Sequence, residues 1–460
     1  MKPRKPCFIS LFFFFFFVHC YIISLADAYD PLDPHGNITI KWDIIKWGDS
    51  DESMYDARVY IFNYQLFRHV ESPPGWKLQW DWYGKEVIWS MQGAEAYEQG
   101  NCHKIKGNLP HCCKKTPQII DLLPGAQYNM QTANCCKGGV LTTMNQDPTR
   151  NSAMFQMHVG NAPYINVTNF TYDSKTLDTV APKKFSLGLP GYTCDDPVRV
   201  VPPTRFAEDG GRRFTEAFLT WNITCTYSQF LASPAPTCCV SLSAFYNATI
   251  TSCPLCSCGC RGQAGVKCVK PGETHNEDPL LQLPHSKDQV VPPLVMCTNH
   301  MCPVRVHWHI KTNYKEYWRV KVTINNLDFA NNYTQWNLVV QHPNLRNVTQ
   351  AFSFNYKALD QYGFVNDTGM LWGLKYYNDM LLQLGPNGNV QSEILLHKDP
   401  EMFTLREGWG FPRKISFNGQ QCVMPPPDDY PRLPNNTPSN AIARPYVSSI
   451  IFLLALILLL

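Results

Sequence analysis

Apolar and polar residues alternate in short segments along most of this chain. Residues 38–44 carry three isoleucines and a tryptophan at alternate positions, and residues 76–82 carry three tryptophans and a leucine in the same way. Side chains of a β-strand point alternately to its two faces, so this spacing predicts strands with one buried face. Proline, glycine and asparagine separate the segments, and long stretches with the helical period are scarce. The pattern predicts an all-β fold of the sandwich type.

The alternating pattern occurs twice, which indicates an internal duplication. Residues 38–44 match residues 304–310, because each segment places three aliphatic residues and one tryptophan on one face. We therefore predict two β-sandwich domains, residues 29–192 and 304–424, which flank a cysteine-rich, disulfide-stapled segment at 193–303. Four further matches support the duplication: 58–61 with 319–322, 76–80 with 336–340, 153–157 with 369–374, and 185–192 with 403–410.

The duplication predicts which residues face the core. Trp42, Trp76 and Trp80 share their strand faces with aliphatic side chains, so we interpret all three as core residues. The register of the second copy, carried back to the first, places Val59 and Ile61 in the core as well. The intervening side chains of that strand then face outward.

These outward positions form an aromatic row. Tyr60, Phe62 and Tyr64 recur at every second residue, about 7 Å apart. Such rings suit sugars, whose apolar C–H faces stack on π-systems while their hydroxyls bond to polar neighbours. The alternatives are a strand buried on both faces and a register displaced by one residue, which would turn the rings inward. The predicted carbohydrate-binding residues are Tyr60, Phe62 and Tyr64, with Trp47, Trp82 and Tyr83 as extensions from strand ends and loops.

The beginning of the chain has the features of a secretory signal. Basic residues come first, an apolar run follows over 8–18, and a small-x-small exit occupies 26–28. We predict a cleaved signal peptide over residues 1–28, with a retained signal anchor as the alternative.

The end of the chain resembles a signal for a lipid anchor. The apolar run 447–460 spans about 21 Å as a helix, short of the roughly 30 Å of membrane hydrocarbon. A polar spacer with small residues precedes it. We predict attachment of glycosylphosphatidylinositol at Ser439, with Asn440 and Asn435 as alternatives, and removal of residues 440–460. A poorly anchored transmembrane tail is the competing interpretation.

Composition restricts the class of partner. Residues 29–439 form the predicted mature chain of 411 residues (439 − 29 + 1), of which 425–439 are a proline-rich stalk. Charged residues make up 17% of the chain, and most of the net charge of +3 comes from the signal peptide. A chain with so little charge predicts no nucleic-acid partner.

The chain is rich in acceptor sites for N-linked glycans. Nine N-x-[ST] sequons are spread over the mature chain, which predicts a heavily glycosylated extracellular surface. The predicted glycosylation sites are Asn37, Asn166, Asn169, Asn222, Asn247, Asn332, Asn347, Asn366 and Asn435.

Cysteines predict disulfides rather than a metal site. Removal of Cys7 and Cys20 with the signal leaves seventeen of the 19 cysteines (19 − 2), and an oxidising compartment favours their pairing. Because seventeen is odd, at least one thiol is free, intermolecular or reactive. The dense cluster over 253–268 contains a C-x2-C pair, but it lacks the repeated spacing of structural zinc sites. We predict no metal and no cofactor.

Catalytic motifs are absent from the sequence. There is no G-x-S-x-G, no H-E-x-x-H and no phosphate-binding loop. Asp81 lies between two tryptophans, and we interpret it as an ordinary outward strand residue. We predict that the protein is not an enzyme. The rival interpretations are a wall glycosidase or transglycosylase, which needs two carboxyl groups roughly 5 to 10 Å apart, and a protein-binding adhesion or signalling protein.

Several segments resemble the plant COBRA-like family. The tetrad Cys238-Cys239-Val240-Ser241 matches the C-C-V-S motif of that family, and the run over 220–230 is also similar to it. The segments 29–34, 191–194 and 408–413 resemble the family too, so the similarity covers nearly the whole mature chain.

The resemblance implies a function. Members of this family are cell-surface proteins with a glycosylphosphatidylinositol anchor and an N-terminal region that resembles a cellulose-binding module. They are implicated in the deposition and orientation of cellulose microfibrils and are not established enzymes. We therefore expect two partners for this chain: cellulose or another wall polysaccharide, and the outer leaflet of the plasma membrane through a glycolipid anchor. The expected location is the extracellular face of the membrane, at the interface with the cell wall.

Overall fold

A computed structural model describes most of the two predicted domains. The described residues are 33–48, 54–71, 75–103, 105–163, 181–229, 231–232, 236–245, 247–254, 267–269, 296–298, 302–327, 333, 335–359, 367–374, 388–398 and 410–431. The predicted signal peptide and the anchor site Ser439 lie outside these residues. Within them the fold is all-β, as predicted, and the only helices are short 3-10 turns.

Thirteen strands belong to the N-terminal half of the described chain. The first eight are β1 (Asn37–Trp47), β2 (Met54–Asn63), β3 (Lys77–Asp81), β4 (Val87–Gln92), β5 (Ala94–Ala96), β6 (Gln118–Asp121), β7 (Ser152–Gly160) and β8 (Lys183–Ser186). The next five are β9 (Tyr192–Cys194), β10 (Val198–Arg199), β11 (Arg205–Glu208), β12 (Arg213–Glu216) and β13 (Leu219–Tyr227). The 3-10 turns of this half are Tyr128–Met130 and Asp209–Gly211.

Thirteen further strands follow in the C-terminal half of the described chain. They begin with β14 (Cys238–Ala244), β15 (Asn247–Thr251), β16 (Lys267–Val269), β17 (Met296–Thr298), β18 (Val304–Asn313), β19 (Tyr317–Asn326) and β20 (Leu338–Gln341). They end with β21 (Val348–Ala351), β22 (Phe354–Ala358), β23 (Thr368–Gly373), β24 (Asn389–His397), β25 (Lys414–Phe417) and β26 (Gln420–Gln421). The 3-10 turns are Pro343–Asn347 and Pro427–Asp429.

Each half forms a sandwich of two sheets around one core. In the first, a sheet of order β10-β13-β1-β2-β7-β4, with β9 also paired to β13, shares a core with the sheet β5-β6-β3-β8. In the second, β15-β14-β18-β19-β24-β21 shares a core with β22-β23-β20-β25-β26. Trp42, Trp76 and Trp80 are buried in the first core, as predicted. Trp42 meets Trp80 of the opposite sheet edge-on, with ring centroids 5.0 Å apart.

The duplication holds strand for strand. Strands β1 to β8 and β18 to β25 follow in the same chain order and have the same neighbours in their sheets. The β1–β2 register shifts after Ile44, and the β18–β19 register shifts after the matching Ile310. Buried Asn63 and Asn326 end the second strand of each copy. This agreement of topology and irregularities identifies two copies of one fold.

Two of the matches made from sequence are wrong in detail. Trp42 pairs with Val59 and Trp308 pairs with Val322, so Val59 corresponds to Val322, two residues beyond the match made from sequence. A shift of two residues keeps every side chain on its face, so the predicted inward positions are unaffected. Residues 153–157 lie beside β2 and correspond to β24, whereas 369–374 lie in the other sheet of the second sandwich. Short apolar runs do not specify which sheet they join.

The two sandwiches extend into the segment predicted at 193–303. Strands β9, β10 and β13 belong to the first sandwich, beyond residue 192, and β14 and β15 belong to the second. Strands β16 and β17 form a separate two-stranded sheet. The division between the sandwiches therefore falls between Tyr227 and Cys238.

The two sandwiches contact each other next to the aromatic strand. Phe67, which follows β2, is buried against Val339, Leu359 and Met370 of the second sandwich. The Asn337 side-chain amide donates a hydrogen bond to the Phe67 carbonyl at 2.7 Å. The chain that leaves the aromatic row thus enters the contact between the domains directly.

A histidine buried at the same contact carries no charge at neutral pH. Nδ1 of His69 lies 3.4 Å from the side-chain amide nitrogen of Asn337, and the His69 side chain is almost fully enclosed. Burial lowers the pKa of His69 to about 4, because the charged imidazolium loses its hydration there.

Disulfides and one free thiol account for the cysteines whose side chains the structure describes. The pairs are Cys102–Cys113, Cys135–Cys136, Cys194–Cys225, Cys238–Cys422 and Cys239–Cys253, and Cys302 is also disulfide-bonded. Among the described residues Cys112 is the free cysteine, and it is buried. Burial raises the pKa of the Cys112 thiol, which keeps it in its less reactive protonated form.

Candidate functional site

The aromatic row lies on the outer face of the large sheet of the first sandwich. Val59 and Ile61 of β2 are fully buried, so Tyr60 and Phe62 between them point away from the core. Tyr60 and Phe62 are half-buried, and Tyr64 is 44% exposed. We call Tyr60, Phe62 and Tyr64 together the ladder.

The rings of the ladder stack on one another. The centroids of Tyr60 and Phe62 lie 5.6 Å apart with 8° between the ring planes. Those of Phe62 and Tyr64 lie 5.7 Å apart with 20° between the planes. Offset-stacked rings cover part of each other, so Phe62 has a ring neighbour on both sides. The end rings, Tyr60 and Tyr64, each have only one neighbour within the ladder, and Tyr64 is the more exposed of the two.

A lysine and a methionine lie beside the ladder on the neighbouring strands. Lys41 of β1 is directly opposite Tyr60, and Met154 of β7 is opposite it on the other side. Residues directly opposite each other on antiparallel strands share a face, with Cβ atoms about 5 Å apart. An ammonium group and a thioether therefore flank the first ring. The Lys41 ammonium group can donate hydrogen bonds to the hydroxyl oxygens of a sugar.

An arginine and a projecting hairpin border the Tyr60 end of the ladder. The hairpin of β11 and β12 leaves the sheet next to β13 and reaches across to β2. There the Phe206 ring lies 4.7 Å from the Arg58 guanidinium carbon. With the Gln156 amide oxygen facing it, Arg58 also donates two hydrogen bonds at 2.8 and 2.9 Å. These contacts hold the guanidinium on the same face of β2 as Tyr60, two residues away.

A buried carboxylate anchors the base of that hairpin. Asp43 of β1 accepts a 2.6 Å hydrogen bond from the Thr220 hydroxyl, and Thr220 also bonds to Thr204 just before the hairpin. Burial raises the pKa of Asp43, although these hydroxyls partly oppose the shift. Asp43 is fully enclosed, and its hydrogen bond to Thr220 holds the base of the hairpin in place.

A loop with a vicinal disulfide covers the opposite flank. The loop over 132–137 packs on the part of β7 that extends past the end of β4, where Thr132 donates to the Met154 carbonyl at 2.7 Å. Asn134 donates to the Ser152 hydroxyl at 3.2 Å, and Ser152 lies opposite Phe62. The Cys135–Cys136 disulfide is therefore carried by a loop one strand away from the ladder.

Sequence reasoning missed the contributions of Arg58 and Phe206. The two residues are 148 positions apart (206 − 58), and no local pattern indicates that a hairpin so distant crosses the sheet. Aromatic residues at alternate positions of 205–216 are absent, so the hairpin gave no signal of its own.

Three predicted extensions of the row do not join it. Trp47 is only 8% exposed and stacks on Tyr55, with ring centroids 4.9 Å apart. Trp82 is 3% exposed and packs edge-on against Trp42 and Trp80. Both predictions of sugar-contacting tryptophans are wrong, because these rings complete the core at the strand ends. Tyr83 is exposed, but it lies near the Met54 end of the sheet, opposite to Tyr64.

Asp81 is an outward strand residue with ordinary partners. It accepts a 3.0 Å hydrogen bond from Thr116 and pairs with Lys184 at 3.0 Å. Hydrogen bonds from Lys184 and Thr116 lower the pKa of Asp81, so the carboxyl is ionised. A carboxylate held in this way is unsuited to act as a general acid.

Two of the nine sequons lie on the ladder face. Asn37 begins β1, and its carbonyl accepts a 2.9 Å hydrogen bond from the backbone amide of Tyr64. Asn222 of β13 is opposite Lys41, two strands from Tyr60. Asn247 and Asn347 lie in the second sandwich. The remaining predicted sites lie outside the described residues: Asn166, Asn169, Asn332, Asn366 and Asn435.

The C-C-V-S motif is a structural element of the second sandwich. Its four residues are the first four of the seven residues of β14, which runs parallel to β18. Adjacent strand residues face opposite sides. Cys238 therefore bonds inward to Cys422, and Cys239 bonds to Cys253 on the outer side. Val240 is buried in the core.

The serine of the motif belongs to a chain of hydroxyl and imidazole groups. Ser241 lies 2.7 Å from Nδ1 of His307, and Ser243 joins Nε2 of His307 (2.9 Å) to Nδ1 of His309 (2.7 Å). Burial and the nearby cations lower the pKa of His307 to about 4. Both ring nitrogens of His307 are engaged and Ser241 is buried, so the arrangement fixes the pairing of β14 with β18 rather than activating a nucleophile.

The described residues offer no group of three or more potential ligands placed to hold a metal ion. None of the helices in the described part of the chain is long and apolar enough to span a membrane.

Fold and surface together define a protein of two tandem β-sandwiches with an aromatic ladder on the first. The profile of the COBRA N-terminal domain matches residues 55–228, and that of the COBRA family C-terminal domain matches residues 237–431. The limits of these profiles agree with the division between the sandwiches.

Similar proteins come from rice and Arabidopsis. COBRA-like protein 1 of Oryza sativa subsp. japonica is 56% identical over 416 residues, covering 90% of this chain and 89% of the relative. COBRA-like protein 1 of Arabidopsis thaliana is 53% identical over 458 residues, 97% and 96% of the two chains. Protein COBRA of Arabidopsis thaliana is 57% identical over 415 residues, 89% and 87%. The chain therefore belongs to the COBRA family, as the resemblance indicated, and is a COBRA-type cell-wall protein.

Proposed function

We propose that this protein binds cellulose at the cell surface without catalysis and influences how microfibrils are deposited, oriented or crystallised. One observation carries the proposal: the three stacked rings of the ladder lie on an outward sheet face with polar neighbours. Family membership is consistent with it, and the names of the relatives designate no enzyme.

The chemistry of the ladder face suits a β-linked glucan. The equatorial hydroxyls of such a chain leave two apolar faces on each sugar, which can stack on an exposed ring. Lys41 and Arg58 lie beside Tyr60 and offer donors to the hydroxyls at the sugar edge. Because Tyr60, Phe62 and Tyr64 stack on each other, little side-chain freedom is lost on binding. We infer that Tyr64, the most exposed ring, provides the main stacking surface.

Weak binding by a few rings becomes effective near a membrane. Each stacking contact contributes on the order of 1 kcal/mol, so a single site holds a chain only loosely. Confinement at the cell surface raises the local concentration of binding sites and of newly made chains. Several sites can then hold one chain at the same time, which raises the overall avidity. A binding protein of this kind alters the arrangement of chains without cleaving them.

Binding is tested with the glycosylated protein lacking residues 440–460, mixed with crystalline cellulose, amorphous cellulose or xylan. We expect retention on at least one form of cellulose and much less on xylan, because xylan lacks the hydroxymethyl groups. The bound fraction is measured by sedimentation and gel densitometry. Equal retention on all three polysaccharides would contradict a preference for cellulose. Retention on none of them would contradict the proposal and favour a protein partner for this face.

We also propose that a glycosylphosphatidylinositol anchor on Ser439 holds the protein on the outer leaflet. The support is the sequence alone: a short apolar end preceded by small residues and a polar spacer. Treatment of intact expressing cells with a phosphatidylinositol-specific phospholipase is expected to release the mature chain of residues 29–439. A variant in which Ser439, Asn440 and Ala441 are replaced by bulky residues should not reach the surface. Retention of the wild type after phospholipase treatment would argue for a transmembrane tail.

A further inference from the structure

The sequon Asn37 lies next to the open end of the ladder. Ile38 and Asn63 pair across β1 and β2, and both are fully buried. The next pair outward is therefore Asn37 and Tyr64, which share the outer face and are joined by the 2.9 Å backbone hydrogen bond. Residues directly opposite each other have Cβ atoms about 5 Å apart. A sugar on the Asn37 amide thus starts beside the Tyr64 ring.

The Asn37 side chain is arranged so that it can carry a glycan. Its Nδ2 donates to the His35 carbonyl at 3.2 Å, and its Oδ1 accepts from the Thr39 hydroxyl at 2.7 Å. An N-linked amide keeps one hydrogen, so the bond to His35 and the attachment of a sugar are compatible. Asn222 differs, because its Oδ1 is buried without a hydrogen-bond partner in the middle of the sheet.

We propose that the N-glycan of Asn37 packs its first two sugars on Tyr64 and so competes with polysaccharide for the open end of the ladder. These two sugars are N-acetylglucosamines joined by a β-1,4 bond, the linkage found in cellulose, and their substituents are likewise equatorial. They present the same apolar faces to a ring. The glycan is therefore an intramolecular ligand for the surface to which the proposed function assigns cellulose.

The two ends of the ladder then differ in access. Arg58 and the Phe206 hairpin border Tyr60, and the glycan covers Tyr64. A free glucan has to displace the glycan before it can stack on Tyr64, the most exposed of the three rings. Absence of the Asn37 glycan would open the site. Competition between the glycan and cellulose rests on the proposed function, but the packing of the glycan on Tyr64 does not depend on it.

The first measurement determines whether the glycan is present and packed. Intact mass spectrometry of the secreted protein should show one glycan fewer in Asn37→Gln, whereas Thr39→Ser keeps the sequon and the glycan. Loss of the glycan is expected to lower the thermal midpoint of the wild type. In a Tyr64→Ala background, the same loss should leave the midpoint nearly unchanged, because the stacking partner is gone. An unoccupied Asn37, or equal effects in both backgrounds, would overturn the inference.

The second measurement tests competition. Asn37→Gln is expected to raise the affinity for amorphous cellulose about fivefold, the change for one lost stacking contact. Asn222→Gln changes the other sequon of this face, two strands from Tyr60, and should change the affinity less. If the wild type and Asn37→Gln both bind cellulose with the same affinity, the glycan does not compete with cellulose. If neither protein binds any polysaccharide while the thermal coupling is present, the proposed function fails and the packing of the glycan on Tyr64 stands.

Discussion

Replacement of Tyr60, Phe62 and Tyr64 together by alanine is expected to lower the affinity for cellulose about a hundredfold. The substitution removes all three rings and leaves the inward residues Val59 and Ile61 in place, so the sheet keeps its core. The bound fraction is measured by sedimentation with increasing amounts of cellulose. Among single variants made in the Asn37→Gln background, where no glycan covers the ladder, Tyr64→Ala should reduce binding more than Tyr60→Ala, because Tyr64 is the more exposed.

The matched control is Tyr83→Ala, which removes an exposed ring at the other end of the first sandwich. It should bind like the wild type. Thermal unfolding of the triple variant determines whether the domain remains folded, since the stacked rings also stabilise each other. A folded triple variant that binds as tightly as the wild type would end the account of the ladder, and the sugar contacts would lie elsewhere.

Removal of the Cys238–Cys422 disulfide, as Cys238→Ala with Cys422→Ala, is expected to destabilise the second sandwich by about 2–5 kcal/mol. This bond joins residues 184 positions apart, so its loss frees a long loop in the unfolded chain. It also ties β14 to the end of the domain, where the backbone of Val423 pairs with those of Cys238 and Val240. Chemical denaturation followed by circular dichroism measures the change.

The chain contains a natural control for loop length. The Cys135–Cys136 bond joins adjacent residues and closes almost no loop, so Cys135→Ala with Cys136→Ala should cost much less stability. If both double variants lost the same stability, the contribution of Cys238–Cys422 would not come from the loop that it closes. A double variant of Cys238 and Cys422 as stable as the wild type would show that the C-C-V-S motif serves another purpose.

Local alternation predicted the faces of the ladder strand correctly, even though the match to the second copy was displaced. Val59 corresponds to Val322 and not to Val320, but a displacement of two residues leaves inside and outside unchanged. The prediction therefore depended on the two-residue period of a strand and not on the accuracy of the alignment. The same reasoning failed for Trp47, because a ring at a strand end is enclosed by Tyr55, a contact that strand period does not specify.

The all-β class, the duplication, the burial of Trp42 and the outward direction of the ladder could all be predicted from the order of the residues. Each of these follows from the alternation of side chains along a single strand, which is a local property of the backbone. Only the folded chain shows which sheet each short strand joins, that Phe206 reaches Arg58, and that Asn37 lies beside Tyr64. It also shows that Cys112 forms no disulfide among the cysteines whose side chains are described. These depend on contacts between residues far apart in the chain, whose formation is governed by packing of the whole sandwich and leaves no periodic trace in the sequence.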